Sequence, residues 1–185
     1  MTNKIQNNLV YFFGIGLISS LTFLLNKTTT IYQCAAVFTF IGLSTNALTM
    51  TIGKKNALTI LAISTLASFA VLWQLPYYVN GKIINGMIAA SYCSLLVSLY
   101  WSSTVFASLK DKVSIAYSAF VSLVLAAVID GFVMSMFYAI NNKFSYARIL
   151  DILTREVSYK ALYAMLACAI IAYVMKVSSK QIREL

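Results

Sequence analysis

Six apolar runs divide the chain into segments of the length that a membrane-spanning helix requires. They occupy residues 9–25, 31–52, 57–75, 83–109, 113–140 and 157–175. A helix rises about 1.5 Å per residue and crosses the hydrocarbon core in about 20 residues, so each run fits one crossing, the first being slightly short. The pattern predicts an all-α integral membrane protein, a bundle of six transmembrane helices.

The connections between these runs are too brief to hold a second domain. Four of them are short turns at residues 26–30, 53–56, 76–82 and 110–112, and the fifth, at 141–156, is the longest. Within the fifth, residues 146–153 suggest a short interfacial helix. No small-residue cleavage site follows the first run, so we interpret it as a retained helix rather than a signal peptide. We expect one transmembrane domain over residues 1–185.

The composition supports the membrane class and disfavours several functions. Hydrophobic residues make up 61% of the 185 positions and charged residues 10%, against about 25% charged in soluble domains. The net charge of +9 comes from basic residues that lie mostly between the apolar runs, so we expect no nucleic-acid partner. The chain has no histidine and its three cysteines are isolated, so we expect no enzymatic activity, no cofactor and no metal site.

The basic residues between the runs also predict an orientation. One side of the membrane receives Lys4, Lys54, Lys55, Lys110, Lys112, Lys176, Lys180 and Arg183. The other side receives Lys27, Lys82, Lys143, Arg148 and Arg155. Because lysine and arginine are enriched in cytoplasmic loops, this bias predicts cytoplasmic N- and C-termini.

Three ionisable residues within or beside the spans are the first candidates for a functional site. Asp130 lies ten residues before the end of the fifth run, about 15 Å deep by helical rise. Lys160 lies just inside the sixth run, four residues after Glu156, in the order that favours a helical ion pair. A charge within the bilayer is costly unless it is paired or hydrated, so Asp130 suggests a cavity. Lys160 is equally explained as an interfacial lysine that reaches water.

Small and polar residues recur at helical spacing along four of the runs. Asn46 offers a donor and an acceptor in the second run, Ser122 precedes Asp130 by two turns, and Ser98, Trp101 and Ser102 lie in the fourth run. These residues fit a solute pocket with an aromatic wall. Asn46 is explained slightly better by an interhelical hydrogen bond, the serines fit close helix packing, and Trp101 suits an interfacial belt.

The order of these features resembles the VUT family of proposed bacterial queuosine-precursor transporters. The resemblance covers roughly residues 33–176 and rests on the segments VFTFIGLSTNALTMTIGKKNA, VFASLK, VIDGFVMSMFYAI and EVSYK. Within them Asp130, Glu156 and Lys160 match family positions. Asn46 and Ser102 stand where the family usually has aspartate. The resemblance implies a six-helix carrier whose ligand is a 7-deazapurine such as 7-cyano-7-deazaguanine.

Three functions remain compatible with this sequence. The first is a small-solute uptake transporter for a deazapurine or a related flat heterocycle. The second is the substrate-binding subunit of an energy-coupling-factor importer, for which Gly14, Gly16, Ser19 and Ser20 offer a small-residue docking surface. The third is a non-transporting scaffold, in which Asp130 and Lys160 only pair and no cavity exists. A small-molecule substrate and the lipid bilayer are the expected partners, and both a homo-oligomer and energy-coupling subunits are compatible with the chain.

Overall fold

The fold is a bundle of six helices, as the sequence predicts. The computed structural model describes residues 2–28, 30–73, 78–79, 82–83, 86–141 and 144–183. All six helices are long and apolar enough to cross a membrane, so the chain is a multi-pass membrane protein. The helices are α1 Thr2–Lys27, α2 Ile31–Ile52, α3 Lys54–Leu72, α4 Met87–Leu109, α5 Ile115–Ile140 and α6 Tyr146–Arg183.

Helix α2 lies at the centre of the bundle. It packs against each of the other five helices, while α1, α3, α4, α5 and α6 follow one another around it in that order. Half of its membrane-spanning segment is buried inside the protein, the largest share of any helix. Between α1 and α6 there is at most marginal packing within the described residues. The five outer helices therefore form an arc around α2 that is open on one side.

Most buried hydroxyl groups in the core are satisfied by their own helix. In α2, the Oγ1 atoms of Thr39, Thr45 and Thr49 each donate to the carbonyl oxygen four residues earlier, at 2.8–2.9 Å. A threonine that bonds its own backbone needs no partner across the bundle. Much of the polar row along α2 is thus compatible with plain helix packing.

Helices α1 and α3 are joined by serines that reach across to the facing backbone. Ser68 Oγ donates to the carbonyl of Ser19 at 2.9 Å, and Ser64 Oγ donates to the carbonyl of Ile15 at 3.2 Å. Gly14 lies in the same contact, where an added Cβ would come within 3.3 Å of Ile60. Small residues of this kind let two backbones approach closely in a membrane.

Five of the six helix starts differ from the prediction, and those of α3 and α5 have a local reason. Helix α3 begins at Lys54 rather than at 57, because Gly53 alone makes the corner from α2 with φ +84°, a value that glycine adopts readily. The predicted end of this helix, at residues 74–75, lies outside the described residues. Helix α5 begins at Ile115 rather than at 113, and Ser114 caps it by accepting a bond from the Tyr117 amide. Helix α1 begins at Thr2, so it is longer than the predicted run at 9–25.

The predicted start of the fourth helix at residue 83 is wrong. Residues 78–79 (β1) and 82–83 (β2) form a short antiparallel hairpin, in which Tyr78 pairs with Ile83. Helix α4 begins only at Met87, after Gly86 with φ +79°. The apolar side chain of Ile83 extended the hydrophobic run, but its backbone belongs to a strand.

Residues 146–153 are helical, as predicted, but they do not form a short helix of their own. Helix α6 runs without a break over 38 residues, Tyr146–Arg183. Its polar first part is stabilised by ion pairs along one face, since Asp151 accepts from Arg148 at 3.0 Å and from Arg155 at 2.8 Å. These spacings of three and four residues suit a helix. A segment that resembled a polar connection in sequence is therefore a helical extension of the sixth span.

Candidate functional site

A cavity of about 180 Å³ opens at one end of the bundle. This is the end where α1 and α5 finish and where α2, α4 and α6 begin, and all five helices contribute to its lining. Asp130, Glu156 and Lys160 form one wall, and the connection between α1 and α2 contributes to another. The cavity is therefore built where the ionisable residues of α5 and α6 meet the polar turn of α1 and α2.

Lys160 is the centre of the charged wall. Its side chain is 2% exposed, and its ammonium group is paired with Oδ2 of Asp130 and with Oε1 of Glu156. The third neighbour is the ring of Phe38 on α2, whose centroid lies 4.2 Å from Nζ. The negative face of an aromatic ring attracts a cation. Lys160 is thus held by α5, by its own helix and by the central helix at once.

Asp130 is held by a second partner from α4. Ser94 Oγ lies 2.5 Å from Oδ1 of Asp130 and 3.0 Å from its backbone carbonyl oxygen. Ser94 is fully buried and Asp130 is 6% exposed. Both carboxylate oxygens of Asp130 are therefore engaged, one by a hydroxyl and one by an ammonium group. A buried carboxylate is tolerated in apolar surroundings only with partners of this kind.

The glycine after Asp130 allows α6 to come close enough for this pairing. A Cβ at Gly131 would lie 2.7 Å from Leu153 Cδ1 and 2.9 Å from Val157 Cγ2, both on α6. Contacts below 3.0 Å force neighbouring atoms to shift. The absent side chain at position 131 is thus a condition for the short distance between α5 and α6 beside the ion pairs.

The part of the lining contributed by α1, α2 and the connection between them is polar but uncharged. Asn26, at the end of α1, is 9% exposed and its Nδ2 donates to the carbonyl oxygen of Thr22 at 3.0 Å. Thr28 Oγ1 lies 2.9 Å from Cys34 Sγ, which also faces the cavity. Thr30 Oγ1 is buried and has no hydrogen-bond partner among the described residues. This wall therefore offers polar atoms to a molecule in the cavity.

Arg148 lies at the same cavity on the exposed part of α6. Its side chain is 50% exposed and is paired with Asp151, which also holds Arg155. Exposed ion pairs of this kind contribute little and are screened by salt. The strong electrostatic interactions of the site are accordingly those of the buried group around Lys160.

The structure separates the eight residues singled out from the sequence into two sets. Asp130, Glu156 and Lys160 line the cavity. The other five do not line it: Asn46, Ser98, Trp101, Ser102 and Ser122. The four polar rows therefore do not all converge on one pocket.

The second set has structural explanations in most cases. Asn46 Nδ2 donates to Ser122 Oγ at 3.0 Å, which is the interhelical bond considered in the sequence analysis. Ser98 donates to its own helix at the carbonyl of Leu95, and Trp101 is half exposed on the outer face of α4, edge-on to Tyr100. Ser102 Oγ is buried without a partner in the described part of the chain, and nothing in the structure explains it.

Several contributors to the site were not singled out as binding residues from the sequence, among them Ser94, Phe38 and Asn26. Ser94 belongs to the serine row of α4, and its spacing from Ser98 was a usable signal. Phe38 and Asn26 carry no such signal, because an aromatic in a span and a polar residue at a helix end are both ordinary. Only the packing of α1, α2 and α6 brings them to the same cavity.

Comparisons with protein-family models, with curated proteins and with solved structures found no match. The functional argument is therefore built on the cavity and on the sequence pattern.

Proposed function

We propose that this protein is a small-solute transporter of the bacterial cytoplasmic membrane, and that its solute is a 7-deazapurine or a related flat heterocycle. The observation that carries the proposal is the cavity walled by Asp130, Glu156 and Lys160. Charged residues in a membrane bundle are rare because they are costly, and those that line a cavity typically mark a solute pathway. The class of heterocycle comes from the resemblance to the VUT family.

The size of the cavity supports a small solute. A cavity of roughly 150 Å³ is large enough to hold benzene, whereas drug-sized ligands occupy pockets of about 300–1,000 Å³. The volume of about 180 Å³ found here suits a molecule of one or two rings. It argues against the larger vitamins among the solutes of membrane importers.

The location of the cavity supports uptake. It lies at the end of the bundle that carries the α1–α2 and α5–α6 connections, and these connections belong to the side with fewer basic residues. By the positive-inside rule this end faces out of the cell, and an even number of spans then puts both termini in the cytoplasm. A solute would enter the cavity from outside.

The cavity also weighs against a purely structural role. A scaffold predicts a pair between Asp130 and Lys160 without any space beside it, whereas a cavity adjoins the pair. For the energy-coupling alternative, Gly14 packs against α2 and α3, and Ser19 packs against α3, which leaves Gly16 and Ser20 as the exposed small residues of α1. Copurification of ATPase subunits would favour that alternative.

The test is ligand-induced thermal stabilisation of the purified protein in detergent. Purines, 7-deazapurines and vitamins are added to the wild type, to Asp130→Asn and to Asp111→Asn, a matched change at the exposed turn between α4 and α5. A ligand at about 100 times its Kd should stabilise by about 2.7 kcal/mol. We expect a deazapurine to stabilise the wild type and Asp111→Asn but not Asp130→Asn.

Uptake into proteoliposomes then distinguishes binding from transport. Time-dependent accumulation of the stabilising compound, lost in Asp130→Asn, is the expected result. Folded protein that neither binds nor accumulates any member of the panel would count against the proposal and in favour of the scaffold.

A further inference from the structure

The ammonium group of Lys160 has no hydrogen left for a solute. Its three directions are taken by Oδ2 of Asp130, by Oε1 of Glu156 and by the face of Phe38. An anion entering the cavity would therefore have to compete with two carboxylates that are already in contact. The ammonium group of Lys160 is therefore paired with carboxylates of the protein itself and is not open to a solute.

Two acceptors remain open in the cavity beside the Thr30 hydroxyl, which can donate or accept. Among the described residues, Oε2 of Glu156 and Oδ1 of Asn26 accept no hydrogen bond. The amide of Asn26 is oriented by the bond from its Nδ2 to the carbonyl of Thr22, so Oδ1 is the atom that is left over. Both residues line the cavity, and neither of these two oxygens is among the fully buried atoms without a partner, so a donor in the cavity can reach them.

The buried charges do not cancel. Asp130 and Glu156 contribute two negative charges and Lys160 contributes one positive charge, and all three side chains are at most 18% exposed. The exposed row formed by Arg148, Asp151 and Arg155 lies in contact with water, where salt screens its field. The three buried side chains therefore carry a net charge of one negative unit.

We infer that the solute supplies the balancing positive charge, as an organic cation whose ammonium or amidinium N–H groups bind Oε2 of Glu156 and Oδ1 of Asn26. This inference rests on the proposed function and narrows its substrate class. For a heterocycle it means a ring that carries a protonated amino or amidine group. The competing explanation is a proton shared between the two carboxylates, which would leave the site neutral.

The sign of the charge in the cavity can be measured with Cys34, which faces it. The other two cysteines, Cys93 on the exposed surface and Cys168 in the core, are first replaced by alanine. Cys34 is then modified with two methanethiosulfonate reagents of similar size, the cationic ethyltrimethylammonium and the anionic ethylsulfonate. Each rate is divided by the rate of the same reagent with 2-mercaptoethanol, which removes their intrinsic difference in reactivity.

We expect the normalised rate of the cationic reagent to exceed that of the anionic one by on the order of a hundredfold, because one unit charge about 10 Å away at an effective dielectric constant of about 20 changes each rate by on the order of tenfold, in opposite directions. The ratio should fall towards one in Glu156→Gln and stay unchanged in Asp111→Asn. Equal normalised rates in the wild type would overturn the inference and favour the shared proton.

A second reporter and a ligand pair complete the experiment. The Ser91→Cys variant places a thiol on α4 at the same cavity, and it should show the same preference. Failure of both positions to react with any reagent would overturn access from this end.

Benzamidine should slow the reaction of Cys34 with neutral methyl methanethiosulfonate, whereas benzamide, the uncharged molecule of the same shape, should not. Equal protection by both would count against a cationic solute.

The outcomes separate this inference from the proposed function. A cation preference in a protein that accumulates no solute would leave the charged cavity standing and refute transport. Uptake of a neutral heterocycle by a protein without cation preference would support transport and refute the cationic solute.

Discussion

Replacement of Lys160 by methionine is expected to destabilise the protein strongly. Methionine preserves much of the length and volume of the side chain but removes the ammonium group that pairs with Asp130 and Glu156. Two carboxylates would then face each other in a buried site, with only the Ser94 hydroxyl as a remaining donor to Asp130. Like charges in such a site repel, and one of them is forced to bind a proton.

The size of the effect follows from the burial of the group. Removing one partner of a buried ion pair costs about 3–5 kcal/mol, because the other charge is left without compensation. For a chain of 150–250 residues, 1 kcal/mol corresponds to about 2–4 °C in Tm, so the melting temperature should fall by roughly 6–20 °C. Glu156→Gln leaves the pair of Lys160 with Asp130 intact, and it should cost only about 1 kcal/mol.

The assay is size-exclusion chromatography of the detergent-solubilised protein after heating, with fluorescence detection. The decisive comparison is between Lys160→Met alone and the same change combined with Asp130→Asn and Glu156→Gln. Neutralising all three groups removes the unpaired charges, and replacing a buried ionic group as a whole is often neutral or stabilising. The triple variant should therefore melt at a higher temperature than Lys160→Met.

Two results would refute this reasoning. A melting temperature of Lys160→Met within about 2 °C of the wild type would mean that the ion pairs contribute little. A triple variant that melts below Lys160→Met would mean that the loss came from packing and not from unpaired charge.

Three further predictions concern Gly131 beside the site and two residues that do not line the cavity, Asn46 and Trp101. Gly131→Ala should separate α5 from α6 and cost about 1–3 kcal/mol in thermal stability, whereas Gly16→Ala, where an added Cβ meets nothing within 4 Å, should be neutral. Asn46→Leu removes the bond to Ser122 and should lower stability by only about 0.6 kcal/mol, without changing solute binding, and a lost ligand-induced shift would contradict the location of the cavity. Trp101→Leu should leave ligand binding unchanged, because this side chain is half exposed on the outer face of α4.

The spans could be predicted because a membrane-spanning helix needs about 20 mostly apolar residues, and such runs are visible in a single sequence. Helix α2 has the bounds predicted from its apolar run, and the fifth and sixth spans were found with errors at their ends. Asp130 and Lys160 were recognisable for the same reason, since a charge within an apolar run contrasts with its neighbours. Their pairing was considered from the sequence but could not be derived, because depth along two separate helices does not determine rotation about their axes.

The errors arose where hydrophobicity alone carried no information on backbone conformation. Ile83 is apolar but lies in a strand, beside the Asn80–Gly81 dipeptide that is typical of tight hairpins. The first part of α6 is polar but helical, and its charges pair at the three- and four-residue spacing of a helix face. Asn26 and Phe38 reach the site through tertiary packing, which the sequence around either residue does not indicate.

The unbroken course of α6 couples the ion pairs mechanically to the exposed end of that helix. Tyr146, at its start, and Lys160 are fourteen residues apart on one helix, which is about 21 Å by helical rise. A continuous helix transmits rotation and tilt along its length, whereas a hinge between two helices would absorb them. A displacement of the segment that carries Arg148 and Arg155 is therefore passed along one helix to Lys160, with no hinge between them to absorb it.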